Sequence, residues 1–102
     1  MSKLVLRSKP SNETRSEVFD FTSRLAIGET ISTASVTATV YSGTDASPSA
    51  VVSGSASISG SQVTQMLTGG VEGNVYLLSC VAITSASQQL RLDGFLAVVP
   101  NP

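Results

Sequence analysis

The sequence predicts an all-β protein folded as a small antiparallel sandwich. Along residues 31–41, apolar and polar side chains alternate with a period of two, which is the spacing of a half-buried strand. Similar short segments recur at intervals of about 8–12 residues, separated by turns rich in glycine and serine. No window combines helical spacing with helix caps. A two-layer arrangement of strands therefore accounts best for the pattern.

The chain divides into three parts. Residues 1–13 are predicted to form an extended N-terminal arm, because Pro10, Ser11 and Asn12 mark a loop before the first long strand. Residues 14–99 are predicted to form the sandwich, and residues 100–102 a short C-terminal tail. Strands are expected at residues 14–21, 31–41, 51–52, 56–59, 62–67, 75–83 and 89–99.

Individual strands carry further predictions. The first ends on two aromatic anchors, Phe19 and Phe21, and is followed by a crossing loop over residues 23–30. Residues 75–83 are apolar on both faces, which is typical of a central strand covered on both sides. In the last strand Gly94 is a candidate bulge. Its predicted core face carries Leu90, Leu92, Leu96 and Val98.

Charge is scarce in the middle of the chain. Of 102 residues with a net charge of -1, only Asp45 and Glu72 are charged between Thr30 and Leu90. There is no histidine, so the usual serine and cysteine nucleophiles lack their general base. The balance also gives no reason to expect nucleic acid as a partner. The sequence therefore predicts no catalytic residue, no cofactor and a protein that is not an enzyme.

The other candidate sites have structural interpretations. Cys80, the single cysteine, lies in the most apolar strand, where burial lowers thiol reactivity, so we expect a core side chain and no internal disulfide. Glu13, Glu17, Asp20 and Asp93 lack the spacing of a calcium loop, and no metal site is predicted. The apolar run from Leu4 to Leu6 is too short for a signal peptide or a membrane span, so no membrane partner is expected.

Tyr76 follows a glycine-rich corner formed by Gly69, Gly70 and Gly73 and begins the central strand. Immunoglobulin-like sandwiches place a tyrosine near such a corner, with its hydroxyl bonded back to the backbone. Two interpretations stay open, a corner anchor and an ordinary core aromatic. The first predicts a small immunoglobulin-like sandwich.

Two segments resemble a known family. SEVFDFTSRLAIGETISTASVTATV and VTQMLTGGVEGNVYLLSCVAITSASQQLRLDGFLAV are similar to the front and back halves of small tailed-phage virion proteins of the fibre–tail adaptor type. The first family motif is a G-[DE]-T-I step, present here as residues 28–31. The second is the GG-x-x-G-x-x-Y corner, present as residues 69–76. The resemblance covers approximately residues 9–99.

The resemblance implies a structural adaptor that joins a fibre or spike to the tail or neck of a phage particle. Its partners would be other virion proteins, with multiple copies in a symmetric assembly formed in the host cytoplasm. Two contact segments are predicted. One is a strand-adding arm formed by Leu4, Val5, Leu6 and Arg7, and the other is the C-terminal tail formed by Pro100, Asn101 and Pro102.

Two alternatives remain at the level of sequence. One is a capsid cement protein. The other, from a different class, is a carbohydrate-binding or adhesion module. A carbohydrate module relies on exposed aromatic side chains, and we expect the core to need most of Phe19, Phe21, Phe95, Tyr41 and Tyr76.

Overall fold

The described part of the chain, residues 4–5 and 9–100 of a computed structural model, consists of strands, turns and short 3₁₀ helices, with only the backbone described for Leu4 and Val5. The eight strands are β1 (Leu4–Val5), β2 (Lys9–Pro10), β3 (Arg15–Asp20), β4 (Ile31–Ser42), β5 (Val52–Ser59), β6 (Gln62–Leu67), β7 (Val75–Thr84) and β8 (Gln89–Val99). The 3₁₀ helices are Thr22–Arg24, which overlaps the start of the predicted crossing loop, and Pro48–Val51.

The strands form two sheets. The larger sheet has the order β1-β8-β7-β4, with β2 also pairing with β8, and the smaller has the order β3-β6-β5. The prediction of an all-β protein with two layers is confirmed. The strands from β3 to β8 pair antiparallel, as predicted for the sandwich, whereas β1 and β2 of the arm both run parallel to β8.

The core lies between the sheets and follows the alternation of the sequence. In β4, Val36 and Ala38 are buried, whereas Ser35, Thr37 and Thr39 are exposed. Burial of the apolar face is the main force that holds such a strand in place. The buried hydrophobic residues are Phe19, Phe21, Ile31, Val36, Ala38, Val51, Val63, Leu67, Tyr76, Leu78, Cys80, Ala82, Leu92, Leu96 and Val98.

β7 is the central strand of the larger sheet, between β4 and β8. Its inner face is fully buried, but the side chains on its outer face are only half-buried. The prediction of cover on both sides is therefore wrong for the described residues, because the smaller sheet lies against the inner face alone.

Two local predictions are also corrected. Residues 52–59 form one strand instead of two, with an irregular register between Ser53 and Ser57. The buried Gln65 amide donates to the carbonyls of Ser53 and Gly54 at 3.0 and 3.2 Å, which satisfies backbone groups that the irregularity leaves unpaired. Gly94 is not a bulge, because the pairing of β7 with β8 continues through it without a shift.

The arm from Lys9 onward packs on the domain. Lys9 is 1% exposed, and its Nζ donates to the carbonyls of Pro10 at 2.8 Å and Glu13 at 2.7 Å. Burial lowers the pKa of Lys9, nearby Arg15 lowers it further, and Glu13 opposes the shift. These two carbonyl bonds hold residues 9–13 in a tight turn beside β8.

Candidate interaction surfaces

The domain is elongated, 43 × 23 × 21 Å, and its two ends are defined by β7. We call the end where β7 begins the corner end; it carries residues 69–74 and the loop of residues 43–47. We call the end where β7 finishes the hairpin end; it carries the turn of residues 85–88 and the loop of residues 22–30. Each family motif lies at one of these ends.

At the corner end, the hydroxyl of Tyr76 ties two loops together. Tyr76 Oη accepts a hydrogen bond from the backbone N–H of Val71 at 2.8 Å and donates to Asp45 Oδ2 at 2.7 Å. Asp45 Oδ1 accepts from the Ser47 N–H at 2.8 Å, the geometry of an Asx turn. Hydrogen bonds from Ser47 and Tyr76 hold the pKa of Asp45 below its ordinary value. The pKa of Tyr76 is raised, mainly by burial and further by the nearby Asp45 carboxylate.

Glycine and asparagine complete the corner. Gly70 has a φ of +96°, and a Cβ placed there would lie 2.8 Å from Val98 Cγ2, too close for a real side chain. The Gly73 N–H donates to the Val98 carbonyl at 2.8 Å, and Asn74 Nδ2 donates to the Thr44 carbonyl at 2.9 Å. The corner is therefore bonded both to β8 and to the loop of residues 43–47.

At the hairpin end, Glu29 performs a similar clamping role. Its Oε1 accepts from the Ala26 N–H at 2.9 Å and its Oε2 accepts from Thr84 Oγ1. Thr30 and Ser85 join the same loop to the hairpin, since the Ser85 N–H donates to the Thr30 carbonyl at 2.7 Å. The hydrogen bonds that Glu29 accepts, chiefly the one from the Thr84 hydroxyl, hold its pKa below the ordinary value. The G-E-T-I step thus fixes a loop to the larger sheet.

A shallow hollow of about 430 Å³ lies beside this clamp and is lined in part by Arg24, Glu29 and Gln88. Ile27, at its rim, is fully exposed. The hollow has no grouping of a nucleophile with a base, and its geometry is that of an open surface between two loops.

The outer face of the larger sheet carries a row of half-buried, mostly apolar side chains. Along β7 it consists of Val75, Leu77, Ser79, Val81 and Ile83, which we call the β7 strip. Polar serine and threonine side chains of β4 flank it on one side, and Phe95 and Ala97 of β8 on the other.

Aromatic side chains divide between the core and this face. Phe19, Phe21 and Tyr76 are completely buried, whereas Tyr41 is 65% exposed. The Tyr41 and Phe95 rings lie with their centroids 4.6 Å apart, tilted by 60°. The expectation that the core uses most of the aromatics therefore holds for three of the five.

The structure describes some of the predicted contact residues. Leu4 and Val5 pair with Gly94 and Phe95 of the same chain, and Pro100 is exposed just after β8. Leu6, Arg7, Asn101 and Pro102 lie outside the described residues.

Cys80 is buried, and burial raises the pKa of its thiol to about 12. The thiol is therefore protonated at neutral pH, which gives it low nucleophilicity. No group of three metal-ligating side chains occurs within residues 9–100. None of the helices in the described part of the chain has the length and hydropathy to span a membrane.

Sequence reasoning missed several contributors to these surfaces. The spacing of Asp45 and Ser47 is readable as an Asx turn, but nothing local indicates that the carboxylate reaches Tyr76. Burial of Lys9 has no signal in the sequence, because its partners are backbone carbonyls.

The described part of the chain is thus a two-sheet fold whose loops at both ends are held by side-chain hydrogen bonds. The family model described as podophage GP4 fiber-tail adaptor protein gp77 matches residues 9–96, and the chain belongs to this family. It is a phage virion structural protein of the fibre–tail adaptor type, as the resemblance of its two motifs predicts. No curated protein matches the chain.

Proposed function

We propose that this chain is a non-enzymatic link that joins a fibre or spike to the tail or neck of a phage particle, built as an immunoglobulin-like sandwich. The family match over residues 9–96 is the observation that carries the proposal. The Tyr76 hydroxyl bonded to the Val71 backbone is the kind of contact found at an immunoglobulin-like corner and supports the fold assignment.

The shape of the domain supports a linking role. An adaptor needs two separate binding surfaces, and the corner and hairpin ends lie at opposite ends of the central strand. Loops at both ends are held by side-chain hydrogen bonds through Tyr76 and Glu29. Loops that are ordered before binding lose less conformational entropy in a complex, which favours affinity.

The arm and the tail are the proposed points of attachment. β1 continues the larger sheet beyond β8, so a strand of another virion protein could pair with its outer edge. The proposed arm contact comprises residues 4–7 and the proposed tail contact residues 100–102. Because Lys9 and Pro10 pack on the domain, the functional arm is placed before Lys9.

The particle would be assembled in the host cytoplasm, with several copies of the chain in a symmetric arrangement. The single buried thiol is consistent with folding in a reducing compartment. Charge gives no reason for nucleic acid among the partners, since the net charge is -1.

One observation favours a second candidate, a carbohydrate-binding module. Tyr41 exposes most of its ring next to Phe95, and exposed aromatic rings are the usual surface for sugar stacking. A glycan-array screen of the whole chain decides this candidate, because binding to no glycan would eliminate it.

The adaptor proposal is tested by counting copies of the chain in purified particles by mass spectrometry and by locating it with an affinity label. An adaptor is expected at about a few to a few dozen copies at the tail or neck, because the symmetry of that part of the particle sets the copy number. Copies on the order of hundreds, spread over the capsid surface, would contradict an adaptor and indicate a cement protein.

A further inference from the structure

The β7 strip is a mostly apolar row of side chains that the described chain leaves only half-buried. From its pattern and charge, we infer that two copies of this chain pack against each other through the β7 strip, about a two-fold axis at Ser79. This inference concerns contact between copies of the chain. It goes beyond the adaptor role and does not depend on that role.

The β7 strip mostly lacks the polar side chains that the outer face of the neighbouring strand β4 carries. In an antiparallel sheet with one face in water, the residues on that face are ordinarily polar. β4 follows this rule with Ser35, Thr37 and Thr39. β7 places apolar side chains at four of the five corresponding positions, namely Val75, Leu77, Val81 and Ile83. Departures from local rules of this kind concentrate at functional surfaces.

The order of side chains along the strip is self-complementary. Two apolar residues precede Ser79 and two follow it at the same spacing. A two-fold axis through Ser79 sets Leu77 of one copy over Val81 of the other, and Val75 over Ile83. Every apolar side chain then meets another apolar side chain, as an isologous interface requires.

The charges beside the strip do not oppose this packing. Arg91 Nε lies 2.7 Å from Asp93 Oδ1, and Arg91 Nη2 donates to Ser79 Oγ at 3.2 Å. The guanidinium is thus neutralised within its own copy, and two copies can approach without a net like charge between them. A strongly charged partner would find no complementary charge on this face.

The rim of the strip has the composition of a protein interface. Phe95 lies opposite Leu77, and its ring is paired with that of Tyr41. Tyr41 lies in the register shift of β4 beside Val75. The ring pair is therefore part of the contact surface at this end of the strip. Aromatic residues are enriched at protein interfaces, whereas lysine and glutamate are depleted. Tyr41, with its ring two-thirds exposed, would lose water from that ring on packing.

The size of the face predicts a weak contact. Three strands about 4.8 Å apart and ten residues long give a footprint of roughly 500 Å² per copy. The total of about 1,000 Å² is near the minimum for a specific interface, so we expect a dissociation constant in the micromolar range. Neighbouring contacts in a particle would strengthen it through multivalency.

The test is sedimentation velocity of the whole chain over a concentration series, with Val81→Glu and the matched control Val18→Glu. Both valines lie on outer sheet faces, but Val18 belongs to the smaller sheet, opposite Thr64. Val81 lies opposite Arg91, so the new carboxylate has a cross-strand cation in the monomer and the fold is expected to hold. Val81→Thr, which keeps the β-branched shape, is a second and milder variant.

We expect the wild-type chain and Val18→Glu to dimerise equally. Val81→Glu is expected to dimerise at least about tenfold more weakly, because the dimer would take an additional charged carboxylate out of water. Val81→Thr is expected to fall between them. Equal dimerisation of the Val81→Glu and Val18→Glu variants would overturn the inference, as would a wild-type chain that stays monomeric at about 1 mM.

Incorporation of the variants into particles distinguishes a failure of this inference from a failure of the adaptor proposal. If the wild-type chain is monomeric while Val81→Glu alone fails to enter particles, the strip binds a different virion protein and self-association is wrong. The adaptor proposal would stand in that case, since it depends on copy number and location at the tail or neck.

Discussion

The two charged residues in the middle of the chain both act at the corner end. Asp45 accepts hydrogen bonds from Ser47 and Tyr76, and Glu72 Oε2 accepts from Ser11 Oγ at 3.0 Å. The first contact joins two loops and the second joins the corner to the arm. In a region with so little charge, the few carboxylates hold backbone segments in place, and none is paired with a catalytic base.

The bond network predicts the effect of Tyr76→Phe. The change removes the acceptor of the Val71 N–H and the donor to Asp45 while keeping the buried ring. A buried polar group left without its partner costs about 1–2 kcal/mol, which lowers the melting temperature by several degrees in a domain of this size. Thermal denaturation measures this.

Tyr41→Phe is the matched control, because Tyr41 is mostly exposed. Its melting temperature is expected to equal that of the wild type. If Tyr76→Phe also melts at the wild-type temperature, Tyr76 is an ordinary core aromatic and not a corner anchor.

At the scale of elements, the strands bounded by turn residues were the predictable ones. β3, β4, β6, β7 and β8 begin and end within one residue of the sequence prediction. In β4 the alternation marks the buried face, whereas β7 is indicated by its continuous apolar run. β5 was predicted as two strands because Gly54 interrupts it. Its continuity depends on the Gln65 amide, a contact across strands that local sequence does not reveal.

The carboxylates Glu29 at the hairpin end and Asp45 at the corner end predict a pH dependence of stability. Glu29 and Asp45 have folded-state pKa values below the ordinary values of 4.5 and 3.8, chiefly through bonds from Thr84 and Ser47 respectively. Groups with lowered pKa values stabilise the fold above their unfolded pKa and lose that contribution as pH falls through the folded pKa. Melting temperature should therefore be steady from pH 7 to about 5 and fall below about pH 4.

Glu29→Gln isolates the contribution of the clamp at the hairpin end. The variant is expected to melt below the wild type at pH 7, and the difference should shrink as the pH falls through the lowered pKa of Glu29, because the wild-type carboxylate then takes up a proton. Thr84→Val, which removes the hydroxyl donor to Glu29 Oε2, should show the same convergence. A Glu29→Gln difference that is equal at pH 7 and below the lowered pKa of Glu29 would contradict a stabilising role for the ionised carboxylate.

At the scale of the whole molecule, the arm is where sequence and structure differ most. A lysine two residues after an arginine predicts a solvated segment, yet Lys9 is buried because Pro10 and Glu13 offer carbonyls within reach of its ammonium group. The parallel pairing of β1 and β2 with β8 also has no local signature, since a strand of two residues has no period. Sequence therefore predicted an arm but not where it lies.

The position of Lys9 determines how the arm should be tested. A chain without residues 1–8 keeps Lys9 and its bonds to Pro10 and Glu13, so the domain is expected to stay folded with a cooperative melting transition. The same deletion removes the proposed strand-adding segment and is expected to abolish incorporation into particles. Circular dichroism and mass spectrometry of purified particles measure the two outcomes.

A chain without residues 1–3 is the matched control, because it retains the pairing of Leu4 and Val5 with β8. It should enter particles at the wild-type level. Normal incorporation of the longer deletion would show that the arm is not the point of attachment.

The scarcity of basic residues across the strands has a consequence for proteolysis. Trypsin cleaves after lysine and arginine, and the chain has none between Arg24 and Arg91. The six bases also include Lys9, where the following proline blocks cleavage. A tryptic digest therefore releases most of the sandwich as one long peptide from Leu25 to Arg91, and copy counts in particles are better based on chymotrypsin, which can cut at Tyr41, Tyr76 and Phe95 once the chain is unfolded.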